Sequence, residues 1–128
     1  MNGSNGDSKM LNKYAAQPVK PPVSDESENI TIVRGLAMLD VSGLAKAEKS
    51  YGHSWKQRGG VGAFMMLARK WDRIENQVKA HKYDVFEAVT ANPDKTGIID
   101  DIRDLRRYLL LVESELIRTG VLKDGQAG

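Results

Sequence analysis

The chain has no cysteine, so neither a disulfide nor a thiolate-ligated zinc site is available to it, which fits a reducing compartment. Its two histidines, His53 and His81, are far apart, which argues against an imidazole-based transition-metal site. Aromatic residues make up only 6% of the 128 positions, and three of the four prolines (Pro18, Pro21, Pro22) fall near the start. No run approaches the roughly 20 apolar residues of a membrane span, and the first residues lack the apolar core of a secretory signal. Strict apolar–polar alternation, the mark of a half-buried strand, is also missing. These absences lead to the expectation of an all-α protein in the cytoplasm.

What is present is charge, unevenly placed. The net charge is +2. From Lys46 to Lys82, nine basic residues face three acidic ones, a net +6, whereas Tyr83 to Gly128 holds six basic and nine acidic, a net −3. Such a basic segment followed by an acidic one suits a site for both cations and polyphosphate. Two solvated helix faces would give the same asymmetry.

Residues 1–28, rich in Gly, Ser, Asn and Pro, read as a flexible N-terminal arm. A first helix is predicted near residues 31–50 with a stripe of Val33, Leu36, Ala37, Asp40, Leu44 and Ala47, and with a break near Ser42–Gly43. The glycines of SYGHSWKQRGGVG predict a loop. A second helix follows over about Val61–Ala80, with Phe64, Leu67, Ala68, Trp71, Ile74 and Val78 as its core face, so Trp71 is assigned to core. Tyr83–Val89 reads as a short helical turn closed by Asn92–Pro93. The third helix is expected from Gly97 to Thr119, capped by Asp94 or Thr96 and ended by Gly120. Its core stripe would be Ile98, Ile102, Leu105, Leu109, Val112 and Leu116. The domain is thus expected over residues 29–120, with a C-terminal tail over 121–128.

Within these helices lie two carboxylate pairs at helical spacing. Asp72 and Glu75 are three apart on the second helix, and Asp101 and Asp104 are three apart on the third, so each pair leaves one face. On the third helix the acids continue into Tyr108, Leu111 and Glu115, a second partly apolar stripe that places the pair in an interior or groove. If the helices pack together, the four acids can converge, and hard divalent cations with oxygen ligands relieve their repulsion. The structural alternatives are plain. Asp100 and Asp101 suit the first helical turn through the macrodipole. Asp104 can pair with Arg103 or Arg107, and Asp72 with Arg69 or Lys79.

The two D/E-x-x-D/E pairs on successive helices resemble the MazG-like all-α nucleoside triphosphate pyrophosphohydrolases. The segment from Tyr51-Gly52 and Trp55 through Asp72 and Glu75 to Asp101, Asp104 and Tyr108 is similar to phage nucleotide-modification-associated proteins. The resemblance spans about residues 44–118. Ser50 stands where an acidic residue often precedes the tyrosine, and Asp72 where glutamate is usual. The resemblance implies an antiparallel helical bundle completed by oligomerisation, as a homodimer or tetramer. It also implies Mg²⁺, with Mn²⁺ as a substitute, and cleavage of a (d)NTP to (d)NMP and pyrophosphate. The MazZ-type members of the group point to dGTP and to phage nucleotide metabolism in a host cytoplasm.

On this reading Asp72, Glu75, Asp101 and Asp104 hold the metal, with Asp72 or Glu75 orienting the attacking water. Lys56, Arg58, Arg69 and Lys70 are candidates for the β- and γ-phosphates, and Trp55 and Tyr51 for the base. A non-catalytic nucleic-acid-binding or assembly module is the alternative, in which the basic segment grips phosphates or the helices mediate association.

Overall fold

A computed structural model describes residues 25–91 and 97–122. All the regular structure among them is helical: α1 (Glu28–Tyr51), a 3₁₀ turn (Ser54–Lys56), α2 (Gly59–Lys79), α3 (Val85–Ala91) and α4 (Gly97–Arg118). None of these helices is long and apolar enough to cross a membrane. Most of the expected arm, the proposed Asn92–Pro93 stop and the Asp94 or Thr96 cap lie outside the described residues. The chain divides into two compact units, residues 1–52 and 53–128.

The first unit contributes α1. Ser27 caps it, its hydroxyl oxygen accepting the Ile30 N–H at 3.2 Å, so one orphan donor of the first turn is satisfied. Glu26 receives Arg34 in an ion pair and the Thr31 hydroxyl at 3.2 Å. Gly52 ends the helix at φ 60°, donating its N–H to Glu48 O at 2.8 Å. The break expected at Ser42–Gly43 is absent: α1 runs unbroken through Gly35 and Gly43. A glycine inside a helix costs about 1 kcal/mol, which a helix capped at both ends tolerates. Gly35 and Asp40 are its buried positions.

The second unit is built on α2 and α4. Contacts run from Lys56–Glu115 through Lys70–Asp104 to Gln77–Asp101. As numbers rise along α2 and its leading turn they fall along α4, so the two helices are antiparallel. Ile74, Val78, Ala88 and Ile98 form the buried apolar centre.

Between α2 and α3 the chain reverses without glycine. Tyr83 N–H donates to Val78 O at 3.0 Å and Lys82 N–H to Lys79 O at 3.2 Å, which is the Schellman pattern. That pattern requires a left-handed residue where glycine is usual. Here Lys82 (φ 57°) and Tyr83 (φ 64°) take it up. Asp84 then caps α3, its carboxylate accepting the Glu87 N–H at 3.0 Å. α4 ends at Gly120 (φ 84°), as expected from the sequence.

A left-handed conformation costs an L-residue roughly 1–2 kcal/mol. Lys82→Gly is therefore expected to stabilise the folded chain by about 0.5–1 kcal/mol, net of the glycine's greater unfolded-state entropy. Urea unfolding with an unchanged m-value checks this.

Candidate functional site

The face of α2 that meets α4 is charged. Lys70, Arg73 and Gln77, spaced by three and four, share one side of the helix, and all three reach the acidic pair of α4. Arg73 Nε donates to Asp101 Oδ1 at 2.9 Å and Gln77 Nε2 to Asp101 Oδ2 at 3.0 Å. Lys70 Nζ lies 2.9 Å from Asp104 Oδ2 and 3.7 Å from Asp101 Oδ1, bridging the pair. The Asp101 side chain is 2% exposed, that of Asp104 43%. An ionised carboxylate so deeply placed demands donors, and α2 supplies them. A Cβ at Gly97 would lie 2.9 Å from Gln77 Oε1, at the far end of a flexible side chain.

Of the α4 acids Asp101 points inward and Asp104 is partly exposed, and the side chains that meet them come from Lys70, Arg73 and Gln77. At about 100° per residue, Asp72 and Glu75 lie roughly 140–200° around α2 from Lys70. Both are exposed, and neither makes an ion pair or side-chain hydrogen bond among the described residues. The structure therefore does not bring Asp72 and Glu75 to Asp101 and Asp104 within one chain. Among the described residues no three histidine, aspartate or glutamate side chains lie close enough to hold a metal ion together. The four-carboxylate centre does not fit this geometry.

The apolar stripes shift for the same reason. Trp71, assigned to core from its periodicity, is 55% exposed, and Phe64 is 63% exposed. On α4, Leu109 and Leu116 are exposed rather than core. Ion pairing turns the packed side of α2 towards Lys70 and Arg73, leaving part of the most apolar stripe outside.

A second charged contact fixes the 3₁₀ turn. Lys56 Nζ lies 2.9 and 3.0 Å from the two Glu115 carboxylate oxygens. Arg118, one turn on, grips the same group in a two-pronged contact at 2.9 and 2.8 Å. Hydrogen bonds from Arg118 first, and from Lys56 second, hold the Glu115 carboxyl at about 2, against an ordinary 4.5.

The remaining candidates scatter. Trp55 is half-buried beside Lys56 on the turn, and Arg58 and Arg69 are exposed. Tyr51, 74% exposed, ends α1 in the other unit. Arg73 and Gln77 are site residues that the carboxylate pattern did not single out. Their spacing with Lys70 was visible, but which side of α2 meets α4 was not.

Two predictions follow from the contrast in burial. Asp101→Ala, which removes the carboxylate that accepts from Arg73 and Gln77, is expected to cost about 1–3 kcal/mol, and Asp104→Ala under about 1 kcal/mol, measured by denaturant unfolding. Because the Glu115 value is depressed, its ion pairs stabilise the fold fully above about 4.5 and are lost as pH falls towards 2. Carboxyl NMR titration should find Glu115 ionised at pH 3.5, a pH estimate lying between those two values, and moved up towards the ordinary range in Arg118→Ala.

Comparison with known proteins adds no relative: no family model matches the chain, and neither a curated protein nor a solved structure matches it.

Proposed function

We propose that this chain is a Mg²⁺-dependent nucleoside triphosphate pyrophosphohydrolase, releasing pyrophosphate from a (d)NTP, with dGTP the first candidate. The observation that carries the reading is the Lys70–Arg73–Asp101–Asp104 cluster on the α2–α4 seam. It combines two cations and two carboxylates, and a metal–triphosphate complex carries both signs too. Each partner can therefore be exchanged for one of the opposite origin without leaving a charge bare. The motif resemblance points to the same reaction, and two of its four acids, Asp101 and Asp104, belong to this cluster.

Magnesium is commonly held by one or two carboxylates together with substrate phosphates, so the α4 pair would hold it jointly with the substrate. Asp104, 43% exposed, is the accessible ligand, and Asp101 behind it positions the cluster. When bound, the ion supplies charge neutralisation on the phosphate oxygens. Lys70 and Arg73, once released from their carboxylates, would take the phosphates and offset negative charge on the departing pyrophosphate. Lys56 is committed to Glu115 and is a weaker candidate for that task. Arg58 and Arg69 are exposed cations, and Trp55 and Tyr51 are surfaces on which a base can stack. Asp72 and Glu75 have no place at the cluster within one chain.

The alternative, a non-catalytic module, is favoured on its assembly side by the apolar surface left open on α2.

Incubating the full chain with each NTP and dNTP and Mg²⁺ should yield monophosphate and pyrophosphate in equal amounts, suppressed by chelator. Asp104→Asn and Lys70→Ala should each lower turnover by about 10²-fold or more, with the helical circular-dichroism signal retained. Absence of pyrophosphate from every nucleotide, with Mg²⁺ or Mn²⁺, overturns the proposal.

A further inference from the structure

Two cations beside the α2–α4 seam have no acid to meet. Arg58 and Arg69 are exposed, and their side chains make no ion pair or hydrogen bond among the described residues. At about 100° per residue, Gly62, Arg69 and Arg73 fall within roughly 40° of one another around α2. Arg58 joins the same row, because a Cβ at Gly62 would lie 2.7 Å from Arg58 Cβ. Arg73 leans to Asp101 yet keeps 55% of its side chain exposed, so the row borders the polar side of the seam. The acids on that side are already matched: Asp101 by Arg73 and Gln77, Asp104 by Lys70, and Glu115 by Lys56 and Arg118. Asp72, the exposed acid next to the row in sequence, is turned about 60–100° away from it. Arg58 and Arg69 are therefore uncompensated positive charge.

From Gly62 to Arg73 the row runs about 16 Å at 1.5 Å per residue, and Arg58 extends it. That exceeds the linked phosphates of one nucleotide and matches about five stacked nucleotides at roughly 3.4 Å each. Two aromatic rings belong to the same seam. Tyr108 lies between Asp104 and Glu115 on their stripe of α4, and Trp55 precedes Lys56 on the 3₁₀ turn. Both are half-buried, and neither the Tyr108 hydroxyl nor the Trp55 indole N–H makes a hydrogen bond among the described residues. We propose that this side of the helix pair binds single-stranded nucleic acid, with phosphates along Arg58, Arg69 and Arg73 and bases stacked on Trp55 and Tyr108. A row of cations for the backbone with aromatic platforms for the bases is the chemistry that recognises such a strand. A duplex keeps its bases stacked on one another and leaves both rings unused. Binding of this kind goes beyond the hydrolase reading and requires neither metal nor turnover.

Fluorescence anisotropy of the full chain with a labelled oligothymidylate of about 16 nucleotides, in chelator, should show saturable binding that weakens with salt. Arg58→Ala and Arg69→Ala should each lower the affinity about three- to ten-fold at low salt and flatten the log–log salt slope by about 0.7. Helicity by circular dichroism should be unchanged in both, because the side chains are exposed. Lys79→Ala removes the same charge from a side of α2 about 80–120° away, and should leave the affinity within about two-fold. In a Trp71→Phe background Trp55 is the one indole left, and its emission should change on binding. No binding at low salt overturns the proposal. A loss in Lys79→Ala equal to that in Arg58→Ala also overturns it, because the attraction is then to overall charge. So does a duplex of the same length bound more tightly, or a Trp55 emission unchanged at saturation. Oligonucleotide binding without pyrophosphate release from any nucleotide removes the hydrolase reading and leaves this one standing.

Discussion

A carboxylate that water barely reaches organises the second unit. Asp101 is 2% exposed, yet it sits on a helix face meeting another helix. Burying an ionised group costs several kcal/mol unless donors surround it. Arg73, Gln77 and Lys70 meet that demand, and in doing so they set the rotation of α2 about its own axis. Once that rotation is set, Ile74 and Val78 face inward, and Trp71 and Phe64 face out. The apolar centre is small, and the directional charged contacts lie along the same seam.

The same constraint separates two kinds of chemistry on one helix. The seam side of α2 holds Lys70 and Arg73 against Asp101 and Asp104. The opposite side carries the exposed apolar side chains Val61, Phe64, Met65 and Trp71. Lys56, Glu115 and Arg118 tie the 3₁₀ turn to the far end of α4. The turn bearing Trp55 is thereby anchored to the helix that carries the acidic pair.

Much of the secondary structure was legible from local pattern. The limits of α2 and α4 agree with expectation to within two residues, because apolar periodicity and the glycines Gly59, Gly60 and Gly120 act over a few residues. The unbroken α1 differs from expectation because caps at Ser27 and Gly52 outweigh the low helix propensity of Gly35 and Gly43. The inward position of Asp101 was legible too, since Tyr108 and Leu111 continue its stripe. The partners of the acidic pair were not legible. Periodicity names the members of each face but does not say which face meets which helix. A rotation of α2 by half a turn would have brought Asp72 and Glu75 to the seam instead.

The amino-acid sequence by itself determined an all-helical chain without disulfides, two carboxylate pairs at helical spacing, and a basic segment preceding an acidic one. These properties are local or compositional. Tertiary structure alone decided that Lys70, Arg73 and Gln77 confront Asp101 and Asp104, while Asp72 and Glu75 stand apart. The reason is that α2 has both an apolar and a charged side available for packing. The need to satisfy one buried carboxylate, expressed only when two helices come together, selects between them.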